Sequence, residues 1–182
     1  MTLLVGLLGI ASVLAFHASC AYTMKWIRFP LMIGVLLRVG FVFFDHFVMR
    51  LPDHGSDALN FHLQAIAWSQ GGFLEMLQNF PGPTTHFYAW VLAFFYSILE
   101  PSILLAQSVS VFLGGWIIIL AALLAKLIAN KAAGTVSAWV VALFPTLILY
   151  SSIPLREPFI VFFFLVALYG VVLWSKYHRH SG

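Results

Sequence analysis

One acidic residue of this chain has neighbours that could do chemistry. Asp57 lies within residues 55–62, Gly-Ser-Asp-Ala-Leu-Asn-Phe-His, which follow the second long apolar run. A carboxylate at the start of a helix can act as a general base toward a hydroxyl group, or it can bind a divalent metal ion. It can equally cap the helix and interact with its dipole. The spacing alone leaves these alternatives open.

Two neighbours of Asp57 extend this hypothesis to a metal site. Asp53 and His54 lie close to it in the sequence, and the three side chains form a candidate ligand set for a divalent metal ion. His62 follows five residues after Asp57, which is about 140° around a regular helix. Asp57 and His62 therefore face one ligand only if the helix is irregular.

Arg38 is a second candidate, because it lies in the middle of an apolar run. An ionisable side chain inside a membrane is costly, normally faces the interior of the bundle and often serves function. Asp45 follows seven residues later, on the same face of a helix after two turns. A structural ion pair between the two is the alternative interpretation.

Arg156 and Glu157 form a third candidate group, between the last two apolar runs, with Pro154 and Pro158 around them. The planar guanidinium group binds anionic oxygens in pairs, so an arginine here suits a phosphate. Glu157 could hold a metal ion or an acceptor. The alternative is a simple Arg–Glu ion pair at the membrane boundary, which contributes little free energy.

The composition defines the elements that must position these residues. The chain has 182 residues, of which 62% are hydrophobic and 8% are charged. Soluble domains carry about 25% charged residues, so the composition excludes an ordinary soluble protein. Runs of about 20 apolar residues recur, the length that crosses the hydrocarbon of a bilayer. They lie at about 2–24, 30–49, 103–128, 135–154 and 158–175, and a shorter one covers 86–99.

We therefore predict an all-α integral membrane protein that forms a single membrane domain over residues 1–182. It is a bundle of about five transmembrane helices, with interfacial helices on a long outer loop at 50–102. Membrane lipids are its expected surroundings. The net charge of +3 does not indicate nucleic acid, because the basic residues fall mostly at the ends of the apolar runs.

Basic residues predict the orientation of the bundle in the membrane. They form three pairs at the ends of the runs, which are Lys25 and Arg28, Lys126 and Lys131, and Lys176 and Arg179. If all three pairs are cytoplasmic and 86–99 does not cross, the N-terminus is outside, the C-terminus is inside and all six carboxylates are outside. If 86–99 crosses instead, Lys126 and Lys131 lie outside and Glu157 lies inside.

The long outer loop also contains a predicted helix. Apolar residues recur at helical spacing over residues 57–70, at Ala58, Phe61, Ala65 and Trp68. The Ser56 hydroxyl is suited to cap this helix by accepting a hydrogen bond from a first-turn amide. The Gly-Gly pair at 71–72 is expected to end it, and Pro-Gly-Pro at 81–83 predicts a turn.

The order of these features resembles the membrane glycosyltransferases of the GT-C superfamily, especially relatives of protein O-mannosyltransferases and the aminoarabinose transferase. In those proteins a span with an arginine precedes an outer loop with an acidic residue, and a later span ends in an aromatic-Ser pattern before a second acidic residue. The corresponding features here are Arg38, residues 56–62, and Tyr-Ser-Ser at 150–152 followed by Arg156 and Glu157. The resemblance covers residues 30–175, the N-terminal part of such enzymes, and leaves 2–24 as an extra helix.

The resemblance implies a transferase that moves a sugar from a polyprenyl-phosphate lipid to an acceptor on the outer face of the membrane, with the bacterial inner (plasma) membrane as the expected location. Asp57 and Glu157 match the catalytic acidic positions, and a divalent metal ion is a possible cofactor. Arg156, Arg38 and His62 match substrate-binding positions. The alternative is a truncated non-catalytic relative that serves as a structural or accessory subunit with other membrane subunits.

Overall fold

The computed structural model describes residues 1–178, and in that range every regular element is helical. Nine α-helices follow one another along the described chain: α1 Thr2–Thr23, α2 Arg28–Phe47, α3 Leu59–Ser69, α4 Gly72–Gln78, α5 Phe87–Ile98, α6 Ile103–Ile128, α7 Lys131–Leu143, α8 Pro145–Tyr150 and α9 Glu157–His178. A 3₁₀ turn, Lys25–Ile27, precedes α2, and a π-helical turn, His54–Ala58, precedes α3. The predicted all-α class is confirmed.

Within residues 1–178, four helices are long and apolar enough to cross a membrane: α1, α2 with its 3₁₀ turn, α6 and α9. The sequence predicted about five spans, and the difference lies at 135–154. There α7 ends at Leu143, Phe144 is extended, and α8 begins with Pro145. Proline has no N–H to continue the hydrogen-bond ladder of α7, and its ring disfavours a helical conformation at Phe144.

Helix α6 forms the centre of the bundle, in contact with α1, α2, α7 and α9. The main hydrophobic core packs buried aliphatic side chains of α1, α2 and α7 against it, among them Ile10, Leu31 and Ala138. Two glycines of α6 leave room in this core for the polar side chains of His17 and Arg38. A Cβ atom at Gly115 would overlap the His17 imidazole, and one at Gly114 would lie 2.7 Å from Arg38 Nε.

The predicted basic pairs lie together at one end of the bundle, as far as the structure describes them. The Lys126 Nζ lies 5.2 Å from the centroid of the Trp26 ring, which joins the end of α6 to the α1–α2 turn. The Lys176 Nζ donates to the Leu127 carbonyl at 3.1 Å, which brings the end of α9 to the same place. We call this the basic end; it carries Lys25, Arg28, Lys126, Lys131 and Lys176. Arg179 lies outside the described residues.

All six carboxylates lie toward the opposite end, here called the acidic end. Asp45 is in the last turn of α2 and Glu157 is in the first turn of α9. The other four belong to the segment that connects α2 to α6. The predicted separation of charges is therefore present in the fold, whereas the side of the membrane that each end faces stays a prediction.

The connecting segment folds into three short helices, α3, α4 and α5, which pack on one another. Phe61, Met76, Tyr88 and Leu92 form a second hydrophobic cluster with Ala106 of α6. Helix α5 has 12 residues, about 18 Å of rise, which is too short to cross the hydrocarbon. This length agrees with the prediction that 86–99 does not cross.

The helix predicted at 57–70 is confirmed as α3, with Ala58, Phe61 and Ala65 buried. The predicted Ser56 cap is wrong. The backbone is already π-helical at Ser56, and its hydroxyl donates to the Asp53 carbonyl at 3.3 Å. A first-turn amide therefore receives no hydrogen bond from this side chain.

Candidate functional site

A small hydrophobic cluster joins the two segments that the sequence picked out at the acidic end. Leu51, before the π-helical turn, and Ala58, its last residue, pack with Ile153 and Leu155, which precede α9. Asp57 is the neighbour of Ala58, and Arg156 is the neighbour of Leu155. The fold thus places side by side two segments that are about 100 residues apart in the chain.

Asp57 lies on the π-helical turn and is exposed. Among residues 1–178 no hydrogen bond or ion pair engages its carboxylate. The π-helical turn supplies the irregularity that a shared ligand for Asp57 and His62 would need, although the backbone from Leu59 onward is regular. A free, hydrated carboxylate at this place is available to accept a proton or to bind a ligand.

Arg156 lies at the mouth of a groove in the acidic end. A cavity of about 290 Å³ is lined by Arg156, Thr84, Thr85 and Tyr88, with aromatic and aliphatic neighbours. Three of those neighbours also line a second cavity of about 530 Å³ that continues along α9. We call the two cavities together the aromatic groove. Both cavities are lined by Phe87, Phe159 and Ile160, and the second is also lined by Phe163 and Phe164.

Glu157 contacts Arg156 only weakly. The Arg156 Nε lies 3.8 Å from Glu157 Oε1, and the arginine side chain is 34% exposed. Such a pair near water contributes little free energy, so the guanidinium group can exchange this contact for an anion. The other oxygen of Glu157, Oε2, is buried and has no hydrogen-bond partner among the described residues.

Arg38 is completely buried, and it bonds to backbone rather than to an acid. Its guanidinium group donates to the carbonyls of Gly34, Ala142 and Val141 at 2.8, 3.3 and 3.3 Å, and to the Ser151 hydroxyl at 2.7 Å. The last two carbonyls belong to the end of α7, where the break before Pro145 leaves carbonyls without helical partners.

The alternative ion pair between Arg38 and Asp45 is therefore wrong, because each side chain bonds to other groups. Arg38 nevertheless lines a cavity of about 220 Å³ together with Tyr150, Ser151 and Glu157. The structure thus brings Arg38 and Glu157 to the walls of one cavity. Arg38 closes the inner side of the acidic end and stabilises the break between α7 and α8.

Asp45 is the centre of a buried polar network that the sequence did not predict. Its Oδ1 accepts from the Leu51 amide at 2.7 Å, and its Oδ2 accepts from Gln107 Nε2 at 2.7 Å. The same Oδ2 lies 2.7 Å from His54 Nδ1 and 3.7 Å from Arg50. This network attaches the segment that carries Asp57 to α2 and α6. One residue in the sequence could have indicated this network: Gln107, which carries a polar amide near the start of an otherwise apolar run.

The predicted metal ligands are not placed together. His54 is buried, with Nδ1 facing Asp45 and Nε2 accepting from Arg50 at 2.8 Å, whereas Asp53 and Asp57 are exposed. Within residues 1–178 no three His, Cys, Asp or Glu side chains form a ligand group. Both ring nitrogens of His54 are engaged, by Asp45 and Arg50, so His54 does not fit a metal ion in this arrangement. A metal requirement stays a prediction.

His62 lies beside Tyr96 on the inner side of α3. The Tyr96 phenol donates its single proton to the Ser102 carbonyl at 3.0 Å, so His62 Nδ1, 2.7 Å from the phenolic oxygen, is the donor in their contact. Burial lowers the pKa of His62, and the nearby His54 lowers it further. Burial also raises the pKa of Tyr96 well above its ordinary value. Both side chains are therefore neutral at physiological pH, and His62 Nε2 remains a possible acceptor.

Comparison with protein-family models, with curated proteins and with solved structures finds no match to this chain. The resemblance to the GT-C superfamily therefore stays an untested prediction.

Proposed function

We propose that this chain is a GT-C-like glycosyltransferase, or the N-terminal catalytic portion of one. It would transfer a sugar from a polyprenyl-phosphate carrier to an acceptor on the outer face of a membrane. In this proposal α7 and α8 together make a fifth, broken crossing, and the acidic end faces outward. One observation carries the proposal: the exposed Asp57 and the mouth of the aromatic groove at Arg156 belong to adjoining segments of the acidic end.

The aromatic groove has the two chemical features that a lipid phosphate requires. Arg156 offers a planar pair of donors for phosphate oxygens, and the hydroxyls of Thr84 and Thr85 lie in the same cavity. The groove then continues along α9 between apolar and aromatic side chains, which suit an isoprenoid chain. A water-soluble phosphate would gain nothing from that second part.

The proposed reaction uses Asp57 as general base. The carboxylate accepts the proton of an acceptor hydroxyl while the oxygen attacks the anomeric carbon of the donor sugar. A bond forms between that oxygen and the carbon, and the bond from the carbon to the phosphate oxygen breaks. Its electron pair leaves with the polyprenyl phosphate, whose negative charge Arg156 stabilises. Attack opposite the leaving group inverts the anomeric configuration.

A pair of measurements tests this proposal. Binding of undecaprenyl phosphate to the purified protein in mild detergent is measured by native mass spectrometry. Transfer is measured as the release of polyprenyl phosphate in membranes supplied with polyprenyl-phosphate-linked glucose, mannose or arabinose. We expect Arg156→Gln to weaken carrier binding about tenfold or more, and Asp57→Asn to leave binding unchanged while lowering release about 10²- to 10⁴-fold.

Asp53→Asn is the matched control, because Asp53 is an exposed carboxylate four residues from Asp57. It should change neither carrier binding nor release. Absence of carrier binding to the wild-type protein, or equal release by wild type and Asp57→Asn, would remove the basis for a transferase.

The alternative function is a non-catalytic subunit of a larger membrane complex. The observation in its favour is the apolar surface of α9: in an 18-residue apolar stretch of this helix, only 6% of the residues are buried within the protein. Other membrane helices or lipid would cover such a surface. Co-purification in a fixed stoichiometry with other membrane proteins, without carrier lipid and without an effect of Asp57→Asn, would support the subunit.

A further inference from the structure

A cleft at the basic end, remote from the aromatic groove, has the features of a binding site of its own. It lies between the last turn of α1 and the first turns of α2, is open to the surface and has a volume of about 580 Å³. Two cations, Lys25 and Arg28, line it together with apolar side chains such as Ala21, Phe29 and Met32. The cleft therefore combines positive charge with an apolar wall.

Neither cation of this cleft has an acidic partner within residues 1–178. The Lys25 Nζ lies 6.0 Å from the centroid of the Tyr22 ring, and the Arg28 guanidinium lies 4.5 Å from that of Phe29. The ion pairs of the described chain involve Arg50, His54 and Arg156 at the acidic end. Since all six carboxylates lie toward that end, the charge at the cleft is not neutralised by the protein.

We propose that this cleft binds an anionic membrane phospholipid, with the phosphate between Lys25 and Arg28 and an acyl chain against Phe29 and Met32. Lysine and arginine offer only hydrogen-bond donors, and a phosphodiester offers only acceptors. Basic pockets between transmembrane helices suit the head groups of anionic lipids, and aromatic side chains are common at the level of the head groups. The apolar wall distinguishes a lipid from a free phosphate ion.

The proposal does not depend on glycosyl transfer, because no residue of the cleft belongs to the acidic end. It predicts a site for one lipid of defined chemistry. General attraction between a positively charged surface and a negatively charged leaflet would instead depend on every lysine at this end, including Lys126, Lys131 and Lys176.

The experiment uses the purified protein in a neutral detergent, with native mass spectrometry to count bound lipid. Phosphatidylglycerol and phosphatidylcholine with identical acyl chains are titrated separately. We expect the wild-type protein to bind one phosphatidylglycerol more tightly than phosphatidylcholine. The double variant Lys25→Gln, Arg28→Gln should lose about twentyfold or more of that affinity, at about fivefold for each cation.

Two further variants separate a built site from diffuse charge. Lys131→Gln removes an exposed cation of the same end that does not line the cleft, and it should change the affinity less than twofold. Met32→Trp keeps both cations but fills the apolar wall, and it should also weaken phosphatidylglycerol binding. Circular dichroism and gel filtration establish that each variant is folded.

Three results would overturn the proposal. Equal binding of the two lipids by the wild-type protein would show no preference for a negative head group. Equal loss in Lys131→Gln and in the double variant would show that overall charge alone attracts the lipid. Displacement of the lipid by millimolar inorganic phosphate, together with full binding by Met32→Trp, would assign the cleft to a free anion.

Discussion

Two arginines of this protein differ in burial, and the difference distinguishes a structural arginine from one that is available to bind a ligand. Arg38 is fully buried at the break between α7 and α8, where it donates to three carbonyls and a hydroxyl. Arg156 is one-third exposed at the mouth of the aromatic groove, and its one ion-pair contact, with Glu157, is 3.8 Å long. Arg38 donates to the carbonyls of Val141 and Ala142 at the end of α7, whereas Arg156 is available for an anion.

The largest effect on stability should come from Arg38→Met, which keeps much of the volume and removes every donor. The carbonyls of Val141 and Ala142 would then lose their donor at the end of α7, at about 1–3 kcal/mol each. We expect a loss of about 2–6 kcal/mol in the free energy of unfolding. Thermal unfolding in detergent, followed by tryptophan fluorescence, measures it.

Arg156→Met is the matched control for that measurement. An arginine that is one-third exposed and has one long ion-pair contact contributes about 0–1 kcal/mol, so this variant should unfold near the wild-type temperature. If the two methionine variants lose equal stability, the distinction between a structural and a free arginine is wrong.

The same contrast exists between two aspartates on either side of the loop after α2. Asp45 is buried and accepts from Leu51 and Gln107, whereas Asp53 is exposed. Asp45→Asn replaces a carboxylate oxygen by an NH₂ group, which cannot accept a hydrogen bond from the donors around it. A hydrogen bond to a charged group contributes about 1.5–3 kcal/mol. We expect a loss of about 2–3 kcal/mol, and faster hydrogen exchange in residues 48–58 because the loop is released from α2.

Asp53→Asn serves as the comparison, since Asp53 has a φ of 66° and asparagine tolerates this left-handed conformation well. It should change the free energy of unfolding by less than about 0.5 kcal/mol and leave hydrogen exchange unaltered. Unchanged exchange in Asp45→Asn would mean that the polar network does not hold the loop.

Local pattern was sufficient to predict the all-α class and α3, but not the break between α7 and α8 or the partners of the polar side chains. The helical spacing of Phe61 and Ala65 predicted α3, and the basic pairs predicted which helix ends lie together. The sequence paired Arg38 with Asp45 from their spacing on one helix, and it grouped His54 with Asp57 because they are near in the chain. The actual partners, Ala142 for Arg38 and Gln107 for Asp45, are 104 and 62 residues away. No periodicity within one helix can indicate such contacts.

A smaller effect should distinguish the two buried tyrosines of α5. The Tyr96 phenol contacts both His62 and the Ser102 carbonyl, whereas Tyr88 contacts the Ser110 hydroxyl. Tyr96→Phe should therefore cost about 1–2 kcal/mol, because His62 Nδ1 loses its acceptor, whereas the Ser102 carbonyl keeps the Ala106 amide at 3.1 Å. Tyr88→Phe should cost about 0.5–1 kcal/mol, since Ser110 still donates to the Ala106 carbonyl. Chemical unfolding of the two variants in parallel measures the difference, and a larger loss in Tyr88→Phe would reverse the assignment.

The smallest effect concerns the dependence of stability on pH, and it depends on the half-buried His62. Burial lowers the pKa of His62 from its ordinary value of 6.5, so as pH falls below 6.5 the unfolded chain takes up a proton before the folded chain does. The free energy of unfolding should then decrease as pH falls below 6.5, and His62→Gln should make that decrease shallower. Asn60→Gln, which changes an exposed side chain of α3 that does not titrate, is the control and should keep the wild-type slope. Unfolding measured at a series of pH values between 5 and 8 gives both slopes. If His62→Gln keeps the wild-type slope, other groups cause the acid sensitivity and His62 is not held neutral by its surroundings.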